Sequence, residues 1–269
     1  MNRASFFPAT LALAFLALCP RASGAGQAPA SHPGRAVYLD HCAICHGAAG
    51  DGEGMAAHMF MVRPRDFGRG VFKFRSTPSG SLPTDEDLAR TIRRGLPGSA
   101  MLPHDHLTDA EVRDVIAYLK TFSPRFAEEP PPKPVPIPPA PAVTPDLLAR
   151  GRDFYKEMKC PECHGPAGRG DGDSAGSLKD DLGRPLRPAD LARRPFKSGD
   201  GPQAIYRTLA TGVGGTGMPS YLDALTPEEL WTLVRYVESL RPPGMVDRPT
   251  RDEMAGRHVL HMHPPPRRP

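Results

Sequence analysis

The sequence predicts an all-α fold built from two small, similar helical domains that are joined by a proline-rich linker. Amphipathic segments with helix-capping residues recur along the chain, whereas no segment shows the alternating pattern of a β-strand. The order of these segments repeats once, and many of the 34 prolines cluster between and after the two copies. A chain of 269 residues is long enough for two such domains.

The repeat extends over several short segments that keep their order in both halves of the chain. Residues 34–38 resemble residues 151–155, since each segment begins Gly-Arg and ends in tyrosine. Residues 63–67 resemble residues 187–191, with Arg-Pro at the start and an aspartate in fourth place. Self-similarity of this kind indicates two copies of one structural unit.

Two pairs of helices are predicted in equivalent places. The first pair comprises residues 84–94, with Thr84 as the N-cap, and residues 202–210; a glycine close behind each segment stops the helix. The second pair follows capping boxes that begin at Thr108 and Thr226 and precede amphipathic segments.

These patterns divide the chain into five parts: a signal peptide at 1–24, a first domain at 32–124, a linker at 125–146, a second domain at 147–241 and a disordered tail at 242–269. The linker is expected to be a semi-rigid polyproline II spacer. The tail carries His258, His261 and His263, which suit either a stray metal ion or a plain basic tail, and the composition favours the second.

The N-terminus has the pattern of a secretory signal peptide. Arg3 precedes an apolar stretch at residues 6–18, and small residues at 22–24 offer a cleavage site. The apolar stretch is too short to span a bilayer. A lipid anchor at Cys19 is disfavoured, because the residues on either side of it do not fit a lipoprotein signal. We therefore expect export across the inner membrane and a periplasmic location.

Composition and charge exclude two classes of function. Charged residues make up 24% of the chain and hydrophobic ones 39%, which is typical of a soluble protein and not of a membrane protein with a transmembrane span. The formal net charge of +4 falls to +2 when Arg3 and Arg21 leave with the signal peptide (4 − 2 = 2). Binding to nucleic acid needs a concentrated basic face, so no nucleic-acid partner is expected.

Two Cys-x-x-Cys-His motifs carry the functional argument. They comprise residues 42–46 and residues 160–164. This spacing is the attachment signature of c-type haem. Two thiols one helical turn apart can each add to a vinyl group on one porphyrin edge, and the adjacent histidine can ligate the iron. The sequence therefore predicts two covalently bound haems, attached through Cys42, Cys45, Cys160 and Cys163.

Other uses of four cysteines explain less of the pattern. Disulfides are common in exported chains, but neither disulfides nor zinc account for a histidine directly after each pair. A zinc site would also have to join cysteine pairs much farther apart in sequence than those of usual zinc modules. A thioredoxin-like redox pair needs a strand–helix context that the sequence does not have.

Methionines at matching offsets are the candidates for the second axial ligand of each iron. Met101 lies 59 residues after Cys42, and Met218 lies 58 residues after Cys160. Each follows a short helix and a glycine-containing loop. Methionine ligation in c-type electron carriers raises the potential of the iron. The predicted iron ligands are thus His46, Met101, His164 and Met218.

The first methionine loop is less regular than the second, because Leu102 separates Met101 from the following proline. His104 and His106 are therefore alternative ligands for that iron. Residues 212–217 match a Gly-x-Gly-x-x-Gly pattern, but a helix precedes them, so we interpret them as the loop that carries the second methionine. Four residues near the first motif are interpreted as local packing: Met55, His58, Met59 and Met61.

With these motifs the chain resembles the soluble class I cytochromes c, arranged as a tandem protein with two haems. The resemblance covers residues 34–122 and 151–240. It implies a small helical bundle in each domain, in which a glycine of the first helix packs against an aromatic residue of the last. The implied pairs are Gly34 with Tyr118 and Gly151 with Tyr236.

The resemblance also implies two kinds of contact around each haem. A proline carbonyl is expected beside the proximal histidine, with Pro64 and Pro188 as candidates. Arg63 and Arg187 either face the haem propionates or are solvated at the surface.

The function that the resemblance implies is single-electron transfer between other redox proteins, with no catalytic residue of its own. The chain would work as a soluble carrier or as the cytochrome subunit of a membrane-associated or multisubunit redox complex. The alternative is a dihaem redox enzyme of the peroxidase type. Peroxidase or sensor chemistry needs an iron that is open or can be opened, and similar methionine loops in both halves count against it.

Overall fold

The computed structural model describes residues 31–241, apart from residue 194. Across these residues the chain is helical, and the one β-type pairing is a single bridge between Lys179 and Pro185. None of the described helices is long and apolar enough to cross a bilayer. The described α-helices are α1 (Gly34–His41), α2 (Ala43–His46), α3 (Asp85–Arg94), α4 (Asp109–Lys120), α5 (Arg125–Glu128), α6 (Pro145–Glu157), α7 (Cys160–His164), α8 (Pro202–Thr211) and α9 (Pro227–Ser239).

The predicted all-α fold is confirmed, and both domains use the same order of helices. A broken helix with the cysteine motif comes first (α1 and α2, or α6 and α7), then a short helix (α3 or α8), then the terminal amphipathic helix (α4 or α9). The first helix packs across the last in each domain. The signal peptide, Cys19 and the histidine-containing tail lie outside the described residues.

The first and last helices of each domain cross at a glycine. A Cβ atom on Gly34 would lie 1.9 Å from the Asp114 carbonyl oxygen of α4, and one on Gly151 would lie 2.6 Å from Cβ of Tyr236 in α9. The expected contact between Gly151 and Tyr236 is therefore present. In both domains the glycine also faces the carbonyl oxygen one turn before the aromatic residue, and that of Thr232 lies 2.6 Å from the Gly151 Cβ position. Around Gly34 the three nearest atoms are all backbone atoms of Asp114 and Val115, and none belongs to Tyr118.

The helix N-termini follow the predicted capping chemistry. The Thr108 side chain accepts a hydrogen bond from the Glu111 backbone N–H, and the Glu111 carboxylate accepts one from the Thr108 N–H. The same reciprocal pair forms between Thr226 and Glu229. Thr84 caps α3 in the same way. These caps fix where the short helices begin, because they satisfy backbone donors that have no partner within the helix.

The proline-rich linker packs against the second domain and is more than a spacer. The indole N–H of Trp231 donates a hydrogen bond to the Pro138 carbonyl at 3.0 Å. The Arg235 guanidinium donates to the Pro141 carbonyl at 2.8 Å. Three apolar linker side chains pack against the second core: Val135, Ile137 and Ala140. Helices α5 and α6 occupy the two ends of the segment predicted as linker.

The two domains are joined by buried hydrogen bonds between loops and helix ends. Arg75 of the first domain donates to the Thr211 carbonyl at 2.8 Å, and the Thr211 hydroxyl donates to the Arg75 carbonyl at 3.2 Å. The backbone N–H of Gly214 donates to the Lys73 carbonyl at 3.1 Å. Arg75 and Thr211 are 3% and 1% exposed, so this pairing is shielded from water. No sequence pattern had predicted the interface.

Candidate haem-binding sites

Each Cys-x-x-Cys-His motif lies at a break between two helices. The backbone N–H of Cys42 donates to the Tyr38 carbonyl at 2.8 Å and so continues α1, after which α2 carries the remainder of the motif. In the second motif the break lies at Lys159, whose φ of 58° is rare for a residue with a side chain. The short helices hold the two cysteines of each motif about one turn apart.

The four predicted attachment thiols are half-buried and form no disulfide with one another. Burial raises the pKa of Cys42 and of Cys160 to about 11. Such thiols stay protonated at neutral pH and do not suit a redox pair that needs a thiolate. Two thiols and an imidazole, held within one short helix, are the donor set that a covalently attached haem requires, so the residues fit this cofactor.

Backbone carbonyls orient the two motif histidines. His46 Nδ1 donates to the Arg65 carbonyl at 3.0 Å, and His164 Nδ1 donates to the Ala189 carbonyl at 2.9 Å. Because a carbonyl can only accept, the proton lies on Nδ1, and the lone pair of Nε2 is available to bind a metal. Burial lowers the pKa of both histidines, which favours this neutral form.

These two carbonyls correct the expectation taken from the resemblance, which named Pro64 and Pro188. In both domains the acceptor is the residue after the proline. Proline has a fixed φ and sets the direction of the chain, and the next peptide unit then presents its oxygen to the imidazole. The first histidine has a further contact, since the ring of Phe67 stacks on His46 with centroids 4.5 Å apart.

Two hydrogen bonds hold the end of each motif in place, one from a glycine-rich loop and one from a buried tyrosine. The backbone N–H of Gly52 donates to the His46 carbonyl at 2.9 Å, and the Tyr38 hydroxyl donates to the Gly47 carbonyl at 2.8 Å. Tyr38 is fully buried, so the second bond forms away from water. The equivalent bonds in the second domain join Gly170 to His164 at 2.8 Å and Tyr155 to Gly165 at 2.7 Å.

The two predicted axial methionines lie in loops that share the same hydrogen bonds. Leu96 N–H donates to the Met101 carbonyl at 2.9 Å, and Met101 N–H donates to Ser99 Oγ at 3.2 Å. In the second domain Val213 N–H donates to the Met218 carbonyl at 3.0 Å, and Met218 N–H donates to Thr216 Oγ1 at 3.2 Å. The extra Leu102 therefore leaves the conformation of the first loop unchanged up to Met101.

A glycine at the end of the preceding helix lets each methionine loop fold back. Gly95 and Gly212 have φ of 61° and 68°. A Cβ atom on either would lie 2.6 Å from the Met101 carbonyl oxygen or 2.8 Å from that of Met218. The match to Gly-x-Gly-x-x-Gly at 212–217 follows α8, in agreement with our interpretation of it as a methionine loop.

His104 and His106, the alternative ligands, lie just beyond the first methionine loop. The structure brings both rings close to His41 at the end of α1. The backbone of His104 occupies the place of Tyr221 in the second domain: His104 N–H donates to the Ile92 carbonyl at 2.9 Å, as Tyr221 N–H does to Leu209 at 3.0 Å.

The interpretation of Met55, His58, Met59 and Met61 as packing residues is wrong. Three of them are among the most exposed apolar side chains described: Met55 is 82% exposed, Met59 72% and Met61 78%. His58 is exposed as well. The reason is local, because the single 3-10 turn at Ala57–Met59 uses Ala57 as its buried residue and directs its neighbours outward.

Arg63 and Arg187, the possible propionate partners, are more exposed than Arg65. Arg63 lies 3.5 Å from Glu53 in an exposed ion pair, and Arg187 is exposed. Surface positions of this kind favour the solvated interpretation. Arg65, by contrast, has a side chain that is only 13% exposed and that lies 3.5 Å from Asp181 of the second domain.

Positive charge gathers where the two domains meet around Arg65. Burial lowers the pKa of Lys73, and the charges of Arg65 and Lys197 lower it further. Asp180 and Asp181 oppose this effect. A half-buried group of cations is suited to receive the carboxylates of a cofactor. The sequence did not predict this group of charged side chains, because Arg65 and Lys73 lie far along the chain from Asp180, Asp181 and Lys197.

Two family models match the chain, one over each domain. The model described as "Cytochrome c" matches residues 31–123, and the model described as "Cytochrome C oxidase, cbb3-type, subunit III" matches residues 146–237. No curated protein matches. A solved structure from Kuenenia stuttgartiensis, the reducing HAO-like protein complex Kustc0457/Kustc0458, contains a chain 42% identical to this one. The match covers 78% of this chain and 96% of that chain, with a TM-score of 0.76.

Proposed function

Since the chain belongs to the dihaem c-type cytochromes, with two cytochrome c domains in tandem, we propose that it passes single electrons between redox partners outside the cytoplasm. Each covalently bound haem supplies an iron that gains and loses one electron. The protein's own part is to attach the cofactor, hold the axial ligands and shape the surface that meets the partner.

In this proposal each domain supplies four groups to its haem. The two thiols of each motif would attach the haem through thioether bonds, and the motif histidine would bind iron through Nε2. Met101 and Met218 would supply the second ligand of each iron, so that neither iron would be open to a substrate. The residues concerned are Cys42, Cys45, His46 and Met101 in the first domain and Cys160, Cys163, His164 and Met218 in the second.

The observation that supports closed irons most strongly is the equivalence of the two methionine loops. Both begin at a left-handed glycine, both return a backbone N–H to the methionine carbonyl, and both hold the methionine N–H on a hydroxyl. A domain that had lost its methionine ligand would not need to keep these bonds. The same equivalence argues against the peroxidase-type alternative, which needs one iron that can open.

The surface of the first domain supports docking of a partner beside the first haem. The exposed apolar side chains of the first domain include Ile44, Met55, Met59, Met61 and Leu102, at 57%, 82%, 72%, 78% and 67% exposure. The second motif has Glu162 where the first has Ile44. Exposed apolar patches rimmed by polar residues mark interaction sites. We infer that electrons enter or leave through the first domain.

The related Kuenenia chain belongs to a structure described as a reducing HAO-like protein complex. By analogy, we propose that the present chain works as the electron-transfer subunit of a larger redox complex in the periplasm, and not as a free carrier. The exposed methionines of the first domain suit such an assembly, because methionine adapts to the shape of a partner surface.

An optical redox titration of the holoprotein, with carbon monoxide added to the reduced form, tests the proposal. We expect two high-potential haems that show the methionine–iron charge-transfer band and do not bind carbon monoxide. In Met101→Ala and in Met218→Ala, one haem should lose the band, fall in potential and bind carbon monoxide. Met59→Ala is the matched control, since Met59 is exposed and should leave both haems unchanged.

If Met101→Ala alters neither the spectrum nor the potential of a haem, Met101 is not a ligand. Binding of carbon monoxide by the unmodified protein would show an open iron. The second result would favour the enzyme over the carrier, whereas the first would give the ligand role to His104 or His106.

A further inference from the structure

Three histidines gather at one edge of the first domain, and neither haem attachment nor the core requires them. His41 ends α1, while His104 and His106 lie between the first methionine loop and α4. The ring centroids are 5.1 Å apart for His41 and His106, 5.7 Å for His104 and His106, and 6.0 Å for His41 and His104. One ring nitrogen from each residue lies within 4.8 Å of the other two.

The second domain shows that the fold itself does not need these imidazoles. His41 and Lys159 both directly precede the first cysteine of their motifs. His104 is replaced by Tyr221, whose backbone makes the same hydrogen bond, and His106 by the residue two positions later, Asp223. Two equivalent domains that differ at all three positions suggest a property that only the first domain has.

His104 gives a second, independent indication. Its Nδ1 atom is buried and has no hydrogen-bond partner among the described residues. Tyr221, in the equivalent place, is 8% exposed and belongs to the second core. A buried ring nitrogen without a partner is unfavourable, and a metal ion is one partner that would satisfy it.

We propose that His41, His104 and His106 bind a divalent transition-metal ion, Zn(II) or Cu(II), as a third metal centre separate from the two haems. Imidazole is a preferred ligand of both ions. Tetrahedral nitrogens at roughly 2.0–2.1 Å from zinc lie about 3.3 Å from one another, so modest side-chain rotations complete the site. Three protein ligands leave a fourth position for water or an external ligand.

The surrounding charges suit a cation. Burial lowers the pKa of His104, and His106 and His41 lower it further, which favours the neutral imidazole that binds metals. Asp105 acts in the opposite direction on His104. The hydrogen bonds of the α4 cap, together with His41 and His106, keep the pKa of Glu111 below its ordinary value, so a carboxylate charge lies near the cluster.

A bound ion would connect two parts of the first domain that the haem also uses. It would tie the last residue of α1, next to Cys42, to the segment that follows Met101. The inference rests on the proposed ligation of the first iron by Met101, since His104 or His106 would otherwise be the ligand of that iron.

Titration of the oxidised holoprotein with Zn(II), followed by calorimetry, tests the site. The tail histidines could also bind zinc, so the experiment is run in a parent chain with His258→Ala, His261→Ala and His263→Ala. We expect one high-affinity zinc ion per parent chain. His106→Ala should weaken binding by at least about 100-fold, because loss of even an outer partner of a metal ligand costs about 10–100-fold. The control is His58→Ala, another exposed histidine of the same domain.

His41→Gln provides a second variant, and the haem absorption spectrum checks that each variant is intact. The proposal is supported if both cluster variants lose zinc while their haem spectra match the parent. It is overturned if His106→Ala binds zinc as tightly as His58→Ala does. It is also overturned if either cluster variant changes the axial ligation of the first haem, since the histidine would then serve the iron.

Discussion

Tyr38→Phe removes one hydroxyl from the hydrogen bond that fixes the first haem motif. The hydroxyl donates to the Gly47 carbonyl at 2.8 Å, and Tyr38 is fully buried. The carbonyl keeps a second donor, the Gly50 N–H at 3.1 Å, so no acceptor is left without a partner. Tyr38→Phe should therefore lower the free energy of unfolding by the net contribution of one hydrogen bond, about 1 kcal/mol at neutral pH. In a protein of this size it should lower the Tm by about 2–4 °C.

The same substitution has a defined dependence on pH. Burial raises the pKa of Tyr38 far above its ordinary value of 10.0. Above pH 10 the unfolded chain releases this proton while the folded chain keeps it. Stability from the tyrosine is thus complete below pH 10 and falls by about 1.4 kcal/mol per pH unit above it. Phenylalanine has no proton to release, so the free energy of unfolding of Tyr38→Phe does not fall in this way. The parent and Tyr38→Phe should therefore become equally stable about one unit above pH 10.

Urea unfolding of the holoprotein at pH 7 and between pH 9 and 11 measures both effects. Tyr118→Phe is the control, because Tyr118 is also buried but contributes no hydroxyl bond of this kind. Equal stabilities of Tyr38→Phe and the parent at pH 7 would refute a contribution from the bond. A deficit that stays constant up to pH 11 would refute the assignment of Tyr38 as the protonated group.

Two further substitutions test the helix crossing and the domain interface. Gly151→Ala places a Cβ atom 2.6 Å from Tyr236 and should lower the free energy of unfolding by roughly 1–3 kcal/mol in urea titrations. Gly176→Ala is the control, because no atom lies close to that position. Equal losses of stability in the two variants would contradict the argument. Arg75→Ala removes buried bonds to the Phe72, Pro78 and Thr211 carbonyls and should cost about 3 kcal/mol. Scanning calorimetry should then resolve two transitions, one for each domain, whereas the exposed control Arg113→Ala should keep the parent profile.

The helices and their caps could be predicted because their signals are local. Thr108 and Glu111 lie three residues apart, and the sequence alone contains both halves of the capping box. The haem motifs are local in the same sense. The matching methionine offsets could be recognised because the chain contains two copies of one unit, so each copy indicates which features of the other are general.

What the sequence did not predict depends on contacts between distant segments. The carbonyl beside His46 belongs to Arg65 and not to Pro64, and a backbone oxygen has no signature in the side-chain pattern. The histidine cluster joins His41 to His104 across more than sixty residues, although His104 had been considered only as an iron ligand. Met59 was misassigned because hydrophobicity indicates burial only when a neighbouring segment covers the residue, and here none does.

Because the linker packs against the second domain, the segment that repeats in the sequence is shorter than the segment that forms the folded domain. The repeat begins again at Gly151, yet the second core also includes Val135 and Ile137, and Trp231 is hydrogen-bonded to Pro138. A fragment cut at the start of the repeat would expose that apolar surface, whereas one that starts at Pro130 would keep it covered. The second domain therefore depends, through its upstream prolines, on a segment that lies outside the repeat.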